Sequence, residues 1–230
     1  MNGFIHNSVF LGVTISFAAY GVGMFLRKKI NSPLCNPLII SIIITVAVVL
    51  IAGIDYEVYE SGTKYIQFLL TPATVSLAVP MYEQIEALKN NWKAVIAGIT
   101  SGVAASFVSV LGLSVLFGLS HKEYVSFLPK SITSAIGMVL SEELGGHVSI
   151  TIMAIVITGV LGSVVAETVL KIFKITHPVA KGIAIGTSSH AAGTSKAAEL
   201  GETECAMSGL SIVIAGIITV IFASFFAGLY

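Results

Sequence analysis

Five long apolar runs set the pattern of this chain: residues 8–26, 37–53, 94–119, 148–170 and 206–229. As helices, each has about the length that crosses the hydrocarbon of a bilayer. Three weaker apolar segments, 65–82, 124–141 and 182–200, lie between them, each interrupted by proline, glycine or polar residues. The pattern predicts an all-α, polytopic transmembrane protein with about seven or eight membrane segments, some discontinuous or re-entrant. It reads as a single transmembrane domain over residues 1–230.

The third weak segment, GIAIGTSSHAAGTSKAAEL, is the most informative. It holds Gly182, Gly186 and Gly193, five hydroxyls and His190 between two apolar regions, and is too polar to face lipid. Irregular backbone inside a membrane survives only where protein or a wet cavity satisfies its polar groups. The segment therefore points to a solute site. In the other two, Pro72 and Pro80, and then Pro129 and Gly137, interrupt the helix. Proline removes a donor and frees carbonyls, so these segments read either as discontinuous helices whose ends meet a solute, or as harmless kinks. Hydroxyls flank both: Thr71, Thr74 and Ser76 in one, Ser131, Thr133 and Ser134 in the other.

Charge adds topology. Arg27-Lys28-Lys29 directly after the first run places that end in the cytoplasm and the N-terminus outside. If every weak segment crosses, Lys89 and Lys93 fall inside but Lys171, Lys174 and Lys181 fall outside. If 124–146 enters and leaves by one face, all five are cytoplasmic. A repeat fits the second arrangement. Pro72–Met81 aligns without gaps on Pro129–Met138, and the same offset pairs Ser101-Gly102-Val103 with Thr158-Gly159-Val160. If the two helices that follow run in opposite directions, the repeat is inverted, as in many transporters.

Composition agrees with a membrane location, with 55% hydrophobic and 10% charged residues and a mean hydropathy of +0.95. A net charge of zero argues against a nucleic-acid partner. Residues 1–7 carry no Lys or Arg and the run that follows is long enough to span, so no cleavable signal is expected. Cys35 and Cys205 form no disulfide or metal framework. No enzyme signature, cofactor motif or metal-ligand spacing emerges. Ser188 and Ser189 beside His190 are too weak a signal for a serine hydrolase.

The candidate solute contacts are Thr74, Ser76, Lys130, Ser131, Thr133, Thr187, Ser188, His190 and Thr194. The candidate structural breaks are Pro72, Pro80, Pro129, Gly137, Gly186 and Gly193. Lys130 supplies a fixed charge for a carboxylate, or else snorkels toward His121-Lys122-Glu123. His190 contacts the solute or relays a proton, or else satisfies freed backbone. Glu167 reads as an interfacial ion pair with Lys171 four residues on. Asn36-Pro37 reads as a helix start, and Glu199, Glu202 and Glu204 complement the N-terminus of the last helix.

Lys174–Glu202, KITHPVAKGIAIGTSSHAAGTSKAAELGE, resembles the signature region of the LrgB/CidB family of membrane proteins. Thr71–Tyr82, Leu128–Met138, Gly145–Thr151 and Asn36-Pro37 resemble that family too, so the likeness runs from about residue 8 to the end. It implies two functions. Bacterial members are described as antiholin-like proteins that influence murein hydrolase activity and lysis, beside a smaller LrgA/CidA-type membrane subunit. Other members, among them a plastid glycolate/glycerate translocator and bacterial pyruvate systems, move small carboxylates. The residues favour transport, because a holin-type pore has no need of matched Pro-broken segments and a hydroxyl-rich third. The expected partners are thus a small monocarboxylate, the bilayer of a bacterial plasma membrane and an LrgA/CidA-like subunit, with homo-oligomerisation open.

Overall fold

The computed structural model describes residues 10–30, 36–69, 72, 75, 76 and 78–230. Every regular element among them is an α-helix, in two compact units, Met1–Ser76 and Leu77–Tyr230. Pro72 and Ser76 belong to the first unit and Pro80 to the second, while Thr71 and Thr74 lie outside the described residues. The first copy of the sequence repeat is thus only partly described.

The first unit holds α1 (Leu11–Lys29), α2 (Pro37–Ile51) and α3 (Tyr56–Phe68). Helix α1 ends on Arg27, Lys28 and Lys29, cations that suit a helix C-terminus. The Asn36 side chain accepts from Leu38 N–H at 2.8 Å, with Pro37 in the first turn of α2, the start that the sequence predicts. Ser16 and Tyr59 hydroxyls, 2.8 Å apart, link α1 to α3.

The second unit holds α4 (Ala78–Glu83), α5 (Ile85–Phe117), α6 (His121–Phe127), α7 (Ser134–Glu143), α8 (Val148–Ile172), α9 (Pro178–Leu200) and α10 (Glu202–Ala227). Among the described residues, three helices are long and apolar enough to cross a membrane: Lys89–Phe117 within α5, α8 and α10. Their outer faces expose large apolar side chains such as Leu116, Leu161 and Ile221, as a lipid-facing surface requires.

Two of the weak segments are helical hairpins. Helix α5 stops at left-handed Gly118 (φ 61°) and Ser120 starts α6 with a capping box. Ser120 N–H donates to the Glu123 carboxylate at 2.7 Å. Hydrogen bonds from Ser120 hold that carboxyl below its usual range. After α6 the chain turns through Leu128–Thr133 and comes back as α7. A Cβ on Gly137 would stand 3.5 Å from Pro129 Cβ, whereas eight residues of continuous helix span about 12 Å. At the base, Thr151 Oγ1 lies 2.9 Å from Ser126 O and 2.6 Å from Ser141 Oγ, joining both arms to α8.

Helix α9 is built in the same way. It breaks at His190 (φ 41°, ψ −135°), a conformation that L-residues rarely adopt. A Cβ on Gly193 would meet Ile185 O at 2.9 Å, again eight residues back, so residues 191–200 return alongside 178–189. His190 and Gly193 are thus the reversal and the close approach that permits it.

Neighbouring glycines give the direction of each helix. Gly98 faces Ile183 and Gly102 faces Thr187, so α5 runs parallel to the first arm of α9. Gly159 faces His190 and Gly162 faces Ser189, while Leu170 shares an apolar cluster with Ile185. Helix α8 therefore runs against that arm and opposite to α5. Each hairpin follows directly from one of these helices, so the two enter from opposite ends. Lys89, Lys93, Lys171, Lys174, Lys181 and Lys196 gather at the end where α5 begins, and Lys122 lies at the other. The hairpin at 124–146 thus goes with an arrangement in which these lysines lie at one end of the unit.

The close approach at Gly193 can be checked by substitution. Gly193→Val is expected to lower stability by about 1–3 kcal/mol through overpacking. Gly112→Ala, where a Cβ meets nothing within 4 Å, is expected to be neutral or stabilising by about 0.5–1 kcal/mol. Thermal unfolding in detergent measures both.

Candidate functional site

The tips of the two hairpins meet the same level of α5. Ser131 Oγ lies 3.2 Å from Ser106 Oγ, and His190 follows Thr187, which packs on Gly102. Ser106 is about 16 Å from the Phe117 end of α5 and about 26 Å from Lys89, well inside the helix. At this depth Lys130 Nζ donates to Ser131 Oγ at 3.1 Å. Among the described residues no carboxylate lies within 4.0 Å of it. The part-buried ammonium thus sits at the tip of a hairpin, away from the interface to which a snorkelling side chain would reach.

A cavity of about 1230 Å³ runs from this tip toward the lysine-bearing end. Helix α5 contributes Asn91, Ser101, Ser106 and Ser109 to its wall, α8 contributes Thr158 and Gly162, and the first arm of α9 contributes Thr187, Ser188 and Ser189. Lys130 and Ser131 close its inner end, and His177 lies near its mouth. Beyond the tip, Phe107, Val110, Tyr124, Leu128 and Ile132 form a packed core. Phe107 stacks on Phe226 with ring centres 4.5 Å apart, and Tyr124 Oη–H donates to Phe226 O at 2.7 Å. The pocket extends from the level of the hairpin tip to the lysine-bearing end, and the packed core lies past the tip.

The hydroxyls in the wall mostly donate into their own helices: Ser101 to Gly98 O, Ser109 to Ser106 O, Thr187 to Ile183 O and Ser188 to Ala184 O. Their lone pairs still face the cavity, ready for a donor. Helix α7 begins beside Lys130 without a capping bond from the Thr133 side chain, leaving the positive end of its dipole at the tip.

Of the sequence candidates, the structure brings Lys130, Ser131, Thr187 and Ser188 to one cavity. Gly186 packs against Ser208 of α10, and Pro129 and Gly137 oppose one another in the first hairpin. His190 turns its ring away: Nε2 lies 2.9 Å from Ile155 O, so this nitrogen carries the proton, a carbonyl being only an acceptor. The ring fits because Gly159 has no Cβ. Thr194 bonds Ser208 Oγ at 2.7 Å. His190, Thr194 and Thr133 are not in the cavity wall. Ser76 lies in the first unit and Thr74 outside the described residues. Sequence reasoning missed Ser101, Ser106, Ser109, Thr158 and Ser189. The signal was the spacing of small and hydroxylated residues at 94, 98, 101, 105 and 109, one face of a helix.

Glu167 pairs with Lys171 at 3.5 Å, as its spacing predicts, and also with Lys196 on the returning arm of α9. Glu202 and Glu204 occupy the first turn of α10, where Glu204 reaches Lys181 at 3.7 Å. No group of three metal-ligating side chains occurs among the described residues.

Helices long enough to span, two opposed hairpins and a largely apolar cavity with hydroxyls and Lys130 in its wall define a polytopic helical membrane protein. The LrgB-like family matches residues 16–229, and the chain belongs to that family. It is 36% identical over 215 residues, 93% of each chain, to antiholin-like protein LrgB of Bacillus subtilis (strain 168). The antiholin-like protein LrgB of Bacillus mycoides (strain KBAB4) is 34% identical over 213 residues, 92% of this chain and 93% of its own. That of Bacillus cereus (strain B4264) is 33% identical over the same shares. No solved structure matches the chain.

Access to the cavity gives a direct check. In a Cys35→Ser, Cys205→Ser background, Ser188→Cys is expected to react with a membrane-impermeant thiol reagent from the lysine-bearing side only. Ile132→Cys, fully buried, is expected to react from neither.

Proposed function

We propose that this chain moves small monocarboxylates of the pyruvate, glycolate or glycerate type across the bacterial plasma membrane. The observation that carries the reading is Lys130, a cation without a carboxylate partner among the described residues, at the inner end of a hydroxyl-lined cavity. Taking an ammonium out of water is costly unless another charge or several dipoles compensate it, and a bound carboxylate does so. The Ser106–Ser131 pair, which keeps one hydroxyl hydrogen free, then donates to a further substrate oxygen, and Ser188 accepts from the hydroxyl of a 2-hydroxy acid.

The opposite runs of α5 and α8, and the like construction of the hairpins that follow them, support an inverted repeat. Alternating access is then an exchange of the packed and cavity-bearing halves about the tips. The proposed arrangement has eight membrane segments, two of them re-entrant. The N-terminus lies outside and the lysine-bearing end of the second unit faces the cytoplasm. An LrgA/CidA-like subunit and self-association are the proposed partners.

A second reading is favoured by the names of the relatives, which support it where they do not speak of transport: an antiholin-like membrane protein that modulates murein hydrolase activity and lysis. Uptake of labelled pyruvate, glycolate and glycerate into proteoliposomes separates the two. Transport predicts saturable uptake that Lys130→Gln lowers by about ten- to a hundredfold, the worth of a hydrogen bond to a charged group, with membrane insertion intact. Absence of saturable uptake by the folded wild type, with and without an LrgA/CidA-like subunit, gives the regulatory reading.

A further inference from the structure

The turn from α8 into α9 carries a second pocket, of about 400 Å³, at the lysine-bearing end. Lys171, Lys174, Lys181 and Thr176 border it, over an apolar floor that includes Leu170 and Leu200. The one carboxylate in its wall, Glu167, already serves Lys196 and Lys171. Lys181 is only loosely paired, at 3.7 Å from Glu204. Among the described residues no carboxylate lies within 4.0 Å of Lys174. The first turn of α9 adjoins the pocket, and its N-cap residue His177 makes no capping bond.

A backbone observation singles out Lys174. It takes the left-handed conformation (φ 53°) that ends α8, with its N–H bonded to Lys171 O and the next N–H to Leu170 O. Glycine is the usual occupant of such a position, because a side chain there is strained. Lys174 is exposed and solvated, so the backbone is what sets it apart: a lysine keeps the left-handed position beside the pocket that glycine would hold without strain.

We propose that this pocket binds a phosphate group, separately from the solute cavity. Lys171, Lys174 and Lys181 against Glu167 and Glu204, the partner of Lys181, leave a formal excess of one positive charge, on Lys174, which suits a phosphate. Two sources carry that chemistry. Exposed Ile172 and Phe173 beside the pocket place an apolar surface next to it, as the headgroup of an anionic phospholipid needs, and a soluble phosphate fits the same lysines.

The test exploits the backbone. Lys174→Gly removes the charge while relieving the left-handed residue, so the variant is expected to be at least as heat-stable as the wild type. Native mass spectrometry in detergent measures bound phosphatidylglycerol against phosphatidylcholine, and a thermal shift measures inorganic phosphate against chloride at equal ionic strength. Lys174→Gly and Lys171→Gln are each expected to weaken binding about fivefold, with Lys122→Gln at the opposite end unchanged. Selective retention of phosphatidylglycerol lost in Lys174→Gly assigns a lipid headgroup. A shift by phosphate alone, lost in the same variant, assigns a soluble ligand. Equal behaviour of wild type and Lys174→Gly in both measurements overturns the site.

Discussion

A helix that reverses inside a bilayer exposes backbone polar groups where no lipid can satisfy them, and each left unpaired costs several kcal/mol. The second unit meets this constraint with side chains from its through-going helices. Thr151 of α8 ties Ser126 and Ser141 at the base of one hairpin. At the tip of the other, His190 reaches Ile155 O across Gly159, and Thr194 lies 3.1 Å from the freed His190 carbonyl and also bonds Ser208 of α10. The unusual backbone at His190 persists because α8 and α10 hold it from both sides. The cavity and the placement of Lys130 follow from these ties.

The same constraint explains how much the sequence disclosed. Prolines, glycines and hydroxyls at 129–138 and 182–200 mark backbone that cannot be plain lipid-facing helix, so both irregular segments were legible. The lysine positions left 124–146 open between a crossing and a re-entrant segment, and the structure shows a helical hairpin there. Asn36 and the Glu167–Lys171 pair were legible because a cap and an i,i+4 pair are local. The direction of the His190 ring was not. At a chain reversal helical periodicity no longer says which way a side chain points, and the carbonyl that receives it lies 35 residues away. Ser101, Ser106 and Thr158 were not recognised as wall residues because a single hydroxyl in an apolar helix bonds its own backbone as readily as it lines a pore.

Family membership and geometry speak to different levels of function. The family and its antiholin-like relatives describe a membrane protein connected by name to lysis. The second unit has chemistry that a simple restraining surface would not need: a cation in a hairpin turn level with the middle of α5, and a cavity beside it with hydroxyls in its wall.

The central claim is that two hairpins enter from opposite ends of the second unit and bring their tips to one level of α5. Single cysteines replacing Lys122, Glu143, Lys174 and Glu199, labelled with an impermeant thiol reagent in intact cells and in inverted vesicles, test it most directly. The account predicts that positions 122 and 143 label from one side and 174 and 199 from the other. Labelling of 122 and 143 from opposite sides would mean that the segment between them crosses the membrane, and would contradict it.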